Sequence, residues 1–319
     1  MAGLDEVHKS MTSVLEEMKK IVFGQDSVLE QLLTCFLAGG HVILEGVPGL
    51  GKTLLARTLA RLVDAQYRRI QFTPDLLPSD IMGTNIFNTQ TGSFSFYRGP
   101  IFTEILLADE INRTPPKSQA ALLEAMEEKQ VTIDGIRNAL PDLFFVMATQ
   151  NPLEYEGTYP LPETQLDRFM MKVSVSYPEP ESELAVIRSY ARGTDLHNLD
   201  VLIQSPVVAK QQVLMYRKDV LQVTVRDEVM EYIRKIVAET RDPVYVQLGA
   251  SPRAAVAVLK ASRALSAIRG REFVTPDEVK EVAVPVLRHR VILRPEALID
   301  GLTPDHFMAT ILRRIPVPR

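Results

Sequence analysis

The sequence predicts an α/β protein, a parallel sheet layered between helices, followed by a second domain that is helical. Three observations carry this expectation. Short apolar runs of strand length alternate with stretches of helical period in the first half of the chain, the alternation that builds parallel βαβ layers. A glycine-rich loop separates the first such run from a helix. Beyond the proline-marked stretch Tyr177-Pro178-Glu179-Pro180-Glu181, which reads as a linker, the period is helical throughout. A length of 319 residues exceeds the usual size of one hydrophobic core and again favours two domains, divided here into residues 1–178 and 179–319.

In chain order, Leu4, Val7, Met11, Val14, Leu15, Met18 and Ile21 recur at spacings of three and four and predict an amphipathic N-terminal helix. Val28, Leu29, Leu32, Leu33 and Phe36 repeat the pattern after an Asp26-Ser27 cap signal, and Gly39-Gly40 ends it. Then the period changes. Val42-Ile43-Leu44 is a continuous apolar run, as expected of a strand buried on both faces of a parallel sheet. Further strands are expected over residues 67–72, 105–109, 143–149 and 171–176, with helices after Lys52 and after Ser118. Two hairpin signals interrupt the alternation: Thr91-Gly92 between Ile86-Phe87 and Phe94-Ser95-Phe96, and Asp134-Gly135 between Val131-Thr132-Ile133 and Ile136. In the second domain, Thr275-Pro276-Asp277-Glu278 reads as a capping box, and Ser251-Pro252 starts another helix in the same way.

Composition narrows the function classes. With 46% hydrophobic and 24% charged residues and no apolar run near the roughly 18 needed to cross a bilayer, the chain reads as globular and non-membrane. Its first residues are acidic and amphipathic, unlike a signal peptide. Cys35 is the only cysteine and lies in an apolar helical stretch, as a core residue of a cytoplasmic protein would. His8, His41, His197, His289 and His306 are scattered without ligand spacing, which argues against a structural metal site. A net charge of −4 gives no general attraction for nucleic acid. Over the hairpin stretches 88–96 and 130–137 the basic groups are Arg137 and nearby Lys129, too few for a DNA-gripping loop.

Gly46-Val47-Pro48-Gly49-Leu50-Gly51-Lys52-Thr53 matches GxxxxGK[ST] between a strand and a helix, the context in which backbone N–H groups and a helix N-terminus cradle phosphates. Lys52 is expected to reach β and γ phosphates, and Thr53 to place its hydroxyl on Mg²⁺. The run Ile105-Leu106-Leu107-Ala108-Asp109-Glu110 ends an apolar strand in two carboxylates. Asp109 suits a metal's water shell and Glu110 the polarisation of an attacking water. A third apolar run ends in Gln150-Asn151-Pro152, where Asn151 could hold the water or the γ-phosphate, although Asn-Pro alone is a turn signal. Arg253 follows Ser251-Pro252 in a first helical turn, where a cation is disfavoured unless an anion is near. Arg168 precedes a strand, and spacing alone favours a salt bridge to Asp167 or Glu163.

Together these segments resemble AAA+ ATPases and, more narrowly, the MoxR family. Three stretches carry the narrower resemblance: Gln71-Phe72-Thr73-Pro74-Asp75-Leu76-Leu77-Pro78-Ser79-Asp80; Gly99-Pro100-Ile101-Phe102 running into Asp109-Glu110-Ile111-Asn112-Arg113; and Leu161-Pro162-Glu163-Thr164-Gln165-Leu166-Asp167-Arg168-Phe169. The resemblance implies a P-loop AAA+ domain with a C-terminal helical lid, binding ATP and Mg²⁺ and assembling into rings, usually hexamers. It also implies roles: Val22-Phe23-Gly24-Gln25 beside the adenine, the loop from Gly46 through Leu54 on the phosphates, Asn151 as sensor 1, Arg253 as sensor 2 on its own or the next subunit's nucleotide, and Arg168 as an arginine finger acting on the neighbour's ATP. The hairpins resemble the helix-2 insert and the pre-sensor-1 hairpin, which face an axial pore in related proteins. The implied function is ATP hydrolysis coupled to remodelling, chaperone-like maturation or metal insertion of a client, often beside a partner with a von Willebrand factor A domain. A chelatase motor subunit and a nucleotide-gated scaffold with little turnover are the alternatives.

Overall fold

The N-terminal helix forms as α1 (Ala2–Lys19). Leu4, Val7, Met11, Val14 and Met18, one stripe of its 3.6-residue period, are buried, and Leu15 is half-buried. In α2 (Asp26–Leu37) the N-cap is Gln25, so the chain enters the helix just ahead of the Asp26-Ser27 signal. Gly39 ends it at φ +71°, the left-handed conformation that suits glycine just past a helix.

The computed structural model describes residues 2–90, 92–152 and 157–318. After α2 it alternates strand and helix through β1 (Val42–Glu45), α3 (Lys52–Leu62), β2 (Tyr67–Gln71) and α4 (Pro78–Met82). The first hairpin, β3 (Gly83–Asn88) with β4 (Ser93–Arg98), follows; Thr91, at its predicted turn, lies outside the described residues. Next come β5 (Ile105–Asp109), α5 (Pro116–Glu128) and the second hairpin, β6 (Gln130–Ile133) with β7 (Ile136–Ala139). The core run closes with β8 (Phe145–Gln150), α6 (Glu163–Leu166) and β9 (Met171–Ser174). Predicted strand ends differ by up to two residues: Leu143 and Phe144 are buried ahead of β8, and β9 stops at Ser174.

Among the described residues, β2, β5, β8, β1 and β9 form one five-stranded sheet in that order, and every pairing is parallel. Gln71 pairs with Asp109 and Glu45 with Gln150, so these strand ends share one edge. From β1, in the interior, the chain crosses to β2 at the far edge, the kind of reversal in strand order where open α/β sheets hold ligands. Side chains alternate as a pleat requires. Val42, Leu44, Leu107 and Met147 pack into the cluster containing α1 and α2, while Ile43, Leu106, Val146 and Ala148 pack with α5 on the other face.

The linker is shorter than the sequence suggests. Helix α7 (Pro180–Ala191) begins inside it, because Pro180 takes the first helical position, where a missing N–H leaves nothing unpaired. Then follow α8 (Leu199–Leu202), α9 (Lys210–Asp219), α10 (Asp227–Glu239), β10 (Val246–Leu248), α11 (Pro252–Ile268) and α12 (Pro276–Leu287). The chain ends with β11 (Ile292–Leu293), α13 (Pro295–Ile299) and α14 (Pro304–Arg314). The antiparallel pair β10–β11 is an addition to the expected helices. The capping box forms, with the Thr275 N–H donating to Glu278 Oε2 at 2.9 Å.

One apolar cluster runs through α1 (Met11), α2 (Leu29), β9 (Met171), α9 (Tyr216), α10 (Ile236), α11 (Val258) and α12 (Val282). The C-terminal helices therefore share a core with the N-terminal helices and the sheet. Arg217 of α9 adds a polar tie: its Nη2 donates to the Phe36 carbonyl at 2.8 Å, and its guanidinium lies 5.3 Å from the Phe36 ring centre. Among the described residues no helix is long and apolar enough to cross a membrane.

Candidate active site

The loop between β1 and α3 is fixed by backbone contacts. Gly46 N–H donates to the Gln150 carbonyl at 3.2 Å, and a Cβ on Gly46 would stand 2.5 Å from the Val175 carbonyl oxygen, so a side chain there cannot fit. Gly51 caps α3 at φ +76°. Helix α3 starts at Lys52, and Lys52, Thr53 and Leu54 all face one cavity, where the first N–H groups of a helix have no partner inside it. Lys52 Nζ donates to the Gly46 carbonyl, which folds its side chain back over the loop.

At the same edge of the sheet, Asp109 ends β5 and Glu110 follows at φ +57°. A left-handed glutamate is uncommon and costs on the order of 1–3 kcal/mol, so its surroundings must impose it. They do so through Thr149, a buried residue of β8. The Glu110 N–H donates to Thr149 Oγ1 at 2.8 Å, and that hydroxyl donates to Asp109 Oδ1 at 2.5 Å. Two residues of β2 complete the array. Arg69 Nη2 lies 2.6 Å from Asp109 Oδ2 and donates to Gln71 Oε1 at 2.6 Å, while Gln71 Nε2 donates to Glu110 Oε2 at 2.6 Å. Arg113 Nη1 reaches the same Glu110 oxygen at 3.0 Å.

These groups line a cavity of about 580 Å³, inside the roughly 300–1,000 Å³ range of small-molecule sites. It brings together Val22, Phe23, Gln25, Pro48, Gly49, Leu50, Gly51, Lys52, Thr53 and Leu54 with Asp109, Glu110 and Asn151. Gly24, Gly46 and Val47 belong to the same loops without lining it. Gly24 instead packs on α7, where a Cβ would meet Ser182 at 2.6 Å, and Gln25 Nε2 holds the Ser176 carbonyl at 2.8 Å. Residues that sequence reasoning missed close the other wall: Pro178, Val186, Tyr190, Leu196 and His197. The cavity is polar at the sheet edge and apolar towards Val22, Val186 and Leu196.

Arg168 and Arg253 lie outside that lining. Neither neighbour that spacing offered to Arg168 is its partner: Asp167 is taken by Arg290 at 2.6 Å, and Arg168 Nη2 lies 3.2 Å from Glu127 of α5. Arg253 Nη1 lies 3.4 Å from the same carboxylate. The missed residues differ in how visible they were. Gln71 and Thr149 are polar positions at the ends of strands that converge on one edge, a readable signal, whereas Tyr190 of α7 and His197, between α7 and α8, reach the cavity only through long-range packing.

Comparison with known proteins gives this geometry a context. Residues 41–171 match the ATPase family associated with various cellular activities (AAA), and residues 238–311 match an AAA lid domain. Over its length the chain is 42% identical to the chaperone MoxR1 of Mycobacterium tuberculosis, covering 98% of this chain and 84% of that protein. The chain belongs to the MoxR family of AAA+ ATPases. Protein MoxR of Paracoccus denitrificans is 30% identical across 99% of both chains. YeaC of Bacillus subtilis is 44% identical, covering 100% of this chain and 98% of that one. A crystal structure from Cytophaga hutchinsonii superposes with a TM-score of 0.91 at 42% identity, covering 100% of this chain and 98% of that one. The AAA+ fold with a C-terminal helical lid is therefore shared across the whole MoxR-type chain, and family membership implies nucleotide binding.

Proposed function

We propose that this chain hydrolyses ATP with Mg²⁺ in a homo-oligomeric, hexameric ring and couples turnover to the remodelling or maturation of a protein client. The observation that carries hydrolysis is that Glu110 shares one cavity with Lys52 and Thr53, a carboxylate base beside a phosphate cradle. Mg²⁺ suits the donors: the Thr53 hydroxyl and Asp109 carboxylate are hard oxygens lining the same space, and the ion would supply counter-charge to the β and γ phosphates. Asn151, 7% exposed at the cavity wall, is assigned to the γ-phosphate or the attacking water, and Val22, Phe23, Gly24 and Gln25 to the base. The sheet-bearing residues 1–178 and the lid 179–319 remain our functional division, with Val186, Tyr190, Leu196 and His197 of the cavity lining coming from the second part.

Arg168 and Arg253 stand away from the chain's own nucleotide site, which supports both acting on ATP held by a neighbour. A protein client is favoured over nucleic acid by the hairpins. Phe87 and Phe94 are exposed with ring centres 5.2 Å apart, and Tyr97 of the same hairpin and Ile136 of the second are exposed as well. The relative named a chaperone agrees with that reading, and a von Willebrand factor A domain partner is proposed on the family resemblance. Ile133, by contrast, is half-buried and packs on its own domain.

Steady-state phosphate release tests the assignment. Glu110→Gln should keep ATP binding and lose about 10²- to 10⁴-fold in turnover, and Lys52→Ala should lose binding itself. Wild-type turnover in Glu110→Gln overturns the general-base role. A second reading, a nucleotide-gated scaffold, is favoured by Gln71 and Arg113 both holding Glu110 Oε2. The wild-type rate decides between them.

A further inference from the structure

Arg168 sits in a segment fixed on both sides by the lid. Arg290 donates through Nε to Asp167 Oδ1 at 2.6 Å, and through its terminal nitrogens to the carbonyls of Asp167 (3.0 Å), Phe169 (2.8 Å) and Met170 (3.0 Å). His289 Nε2 lies 3.0 Å from the Phe169 carbonyl as well. The Arg168 side chain is held from a third direction, α5, where Nη1 donates to the Leu123 carbonyl at 2.7 Å and Nη2 meets Glu127 Oε2 at 3.2 Å. The other oxygen of Glu127 receives Arg253 Nη1 at 3.4 Å. One carboxylate therefore bridges a guanidinium from the sheet-bearing half and one from the second position of α11.

This bridge is not a sealed structural pair. The Arg168 side chain is 29% exposed, that of Arg253 53% and that of Glu127 40%. Two guanidiniums share one carboxylate, so one positive charge is left over, and Arg253 stands in the first turn of α11, where the helix dipole disfavours a cation. Among these three side chains like charges are held together at the surface and negative charge is one short. An anion with several oxygens, arriving from outside, would supply it.

We propose that Glu127 is a positioning residue that couples Arg168 and Arg253 into a single phosphate-binding pair for ATP held by a second copy of this chain. The proposal rests on the reading of Arg168 as a group acting on the neighbour's nucleotide. Its physical basis is preorganisation. Without the carboxylate the two guanidiniums repel, Arg168 is left with its bond to the Leu123 carbonyl, and Arg253 regains rotamers that every catalytic encounter must then remove. Because Glu127 does not line the chain's own cavity, its loss should leave nucleotide affinity alone and act on turnover.

The test compares wild type, Glu127→Gln, Glu127→Asp, Arg168→Ala and the Glu127→Gln/Arg168→Ala double variant. Each is measured for steady-state ATP hydrolysis, affinity for a fluorescent ATP analogue, and assembly by native mass spectrometry. Glu127→Gln should lower kcat about tenfold, at unchanged analogue affinity and assembly, and Glu127→Asp should recover part of the loss. The double variant should be no slower than Arg168→Ala, because once Arg168 is gone no pair remains for Glu127 to couple. Wild-type kcat in Glu127→Gln, with Arg168→Ala nearly inactive, overturns the positioning role and leaves the finger standing. Wild-type kcat in Arg168→Ala removes the finger, and the proposal with it. If Glu127→Gln loses turnover only together with assembly, or the double variant is slower than Arg168→Ala, Glu127 is a structural residue and the proposal fails.

Discussion

At the scale of single residues, one hydroxyl sets the geometry of both acids. Thr149 Oγ1 accepts from the Glu110 N–H and donates to Asp109 Oδ1, from a position that is 1% exposed. Thr149→Val keeps the shape of the side chain and removes both bonds. The Glu110 N–H then loses its partner beneath a left-handed backbone, a loss that costs about 1–3 kcal/mol where the group is buried. Denaturant unfolding should show that loss, and turnover should fall about ten- to a hundredfold as the carboxylates shift, with analogue affinity reduced less. Unchanged stability and turnover in Thr149→Val would mean that the strand ends hold the acids unaided. The sequence displays Lys52, Thr53, Asp109 and Glu110 because a loop motif and the end of an apolar strand are local patterns. Thr149 shows in the sequence as a polar position near a strand end, but its role and that of Arg69 are exerted across strands and follow from pairing order, which no local pattern states.

Among the elements, the strands around β1 are stitched at their starts by His41. Its Nδ1 accepts the Val146 N–H of β8 at 3.0 Å, and its carbonyl accepts the Met170 N–H ahead of β9 at 2.8 Å. The ring lies 5.8 Å from that of Phe144, and burial lowers its pKa to about 4. Between the ordinary value near 6.5 and about 4, the unfolded chain binds a proton at this residue that the folded chain does not. Stability must therefore fall as pH falls through that window. Burial lowers His289 in the same direction, so two histidines add to the slope. His41→Asn offers a side-chain oxygen to Val146 and does not titrate. Its unfolding free energy should depend less on pH between about 6.5 and 4 than that of wild type, and equal slopes would assign the acid sensitivity elsewhere. The strands themselves were legible because β1, β5 and β8 are buried on both faces and read as unbroken apolar runs. Less legible was α7, since its opening Pro180 breaks a helix interior but suits a helix start.

For the whole molecule, amphipathic stripes announced helices but not their partners, so the apolar cluster that α1 shares with α9 to α12 was not visible in the sequence. The same long-range packing brings Arg253 of the lid to Glu127 of α5, next to Arg168 and outside the chain's own cavity. If both arginines serve a neighbour, hydrolysis depends on assembly, and one subunit alone should turn over slowly. Arg168→Ala should bind ATP nearly normally and lose about 10³- to 10⁵-fold in turnover, the usual cost of an arginine finger. Mixing then separates action on a neighbour from action within a chain. Arg168→Ala subunits keep Glu110 and lack the finger, while Glu110→Gln subunits keep the finger and lack the base. A ring containing both has interfaces where an intact Glu110 faces an intact Arg168, so two nearly inactive proteins should together regain part of the wild-type rate. The recovered activity should peak at intermediate ratios and vanish at either end of the titration, with native mass measurement reporting how many rings are mixed. If mixed rings form and no ratio restores activity, base and arginine serve the same chain's ATP, and the assignment to the neighbour is wrong.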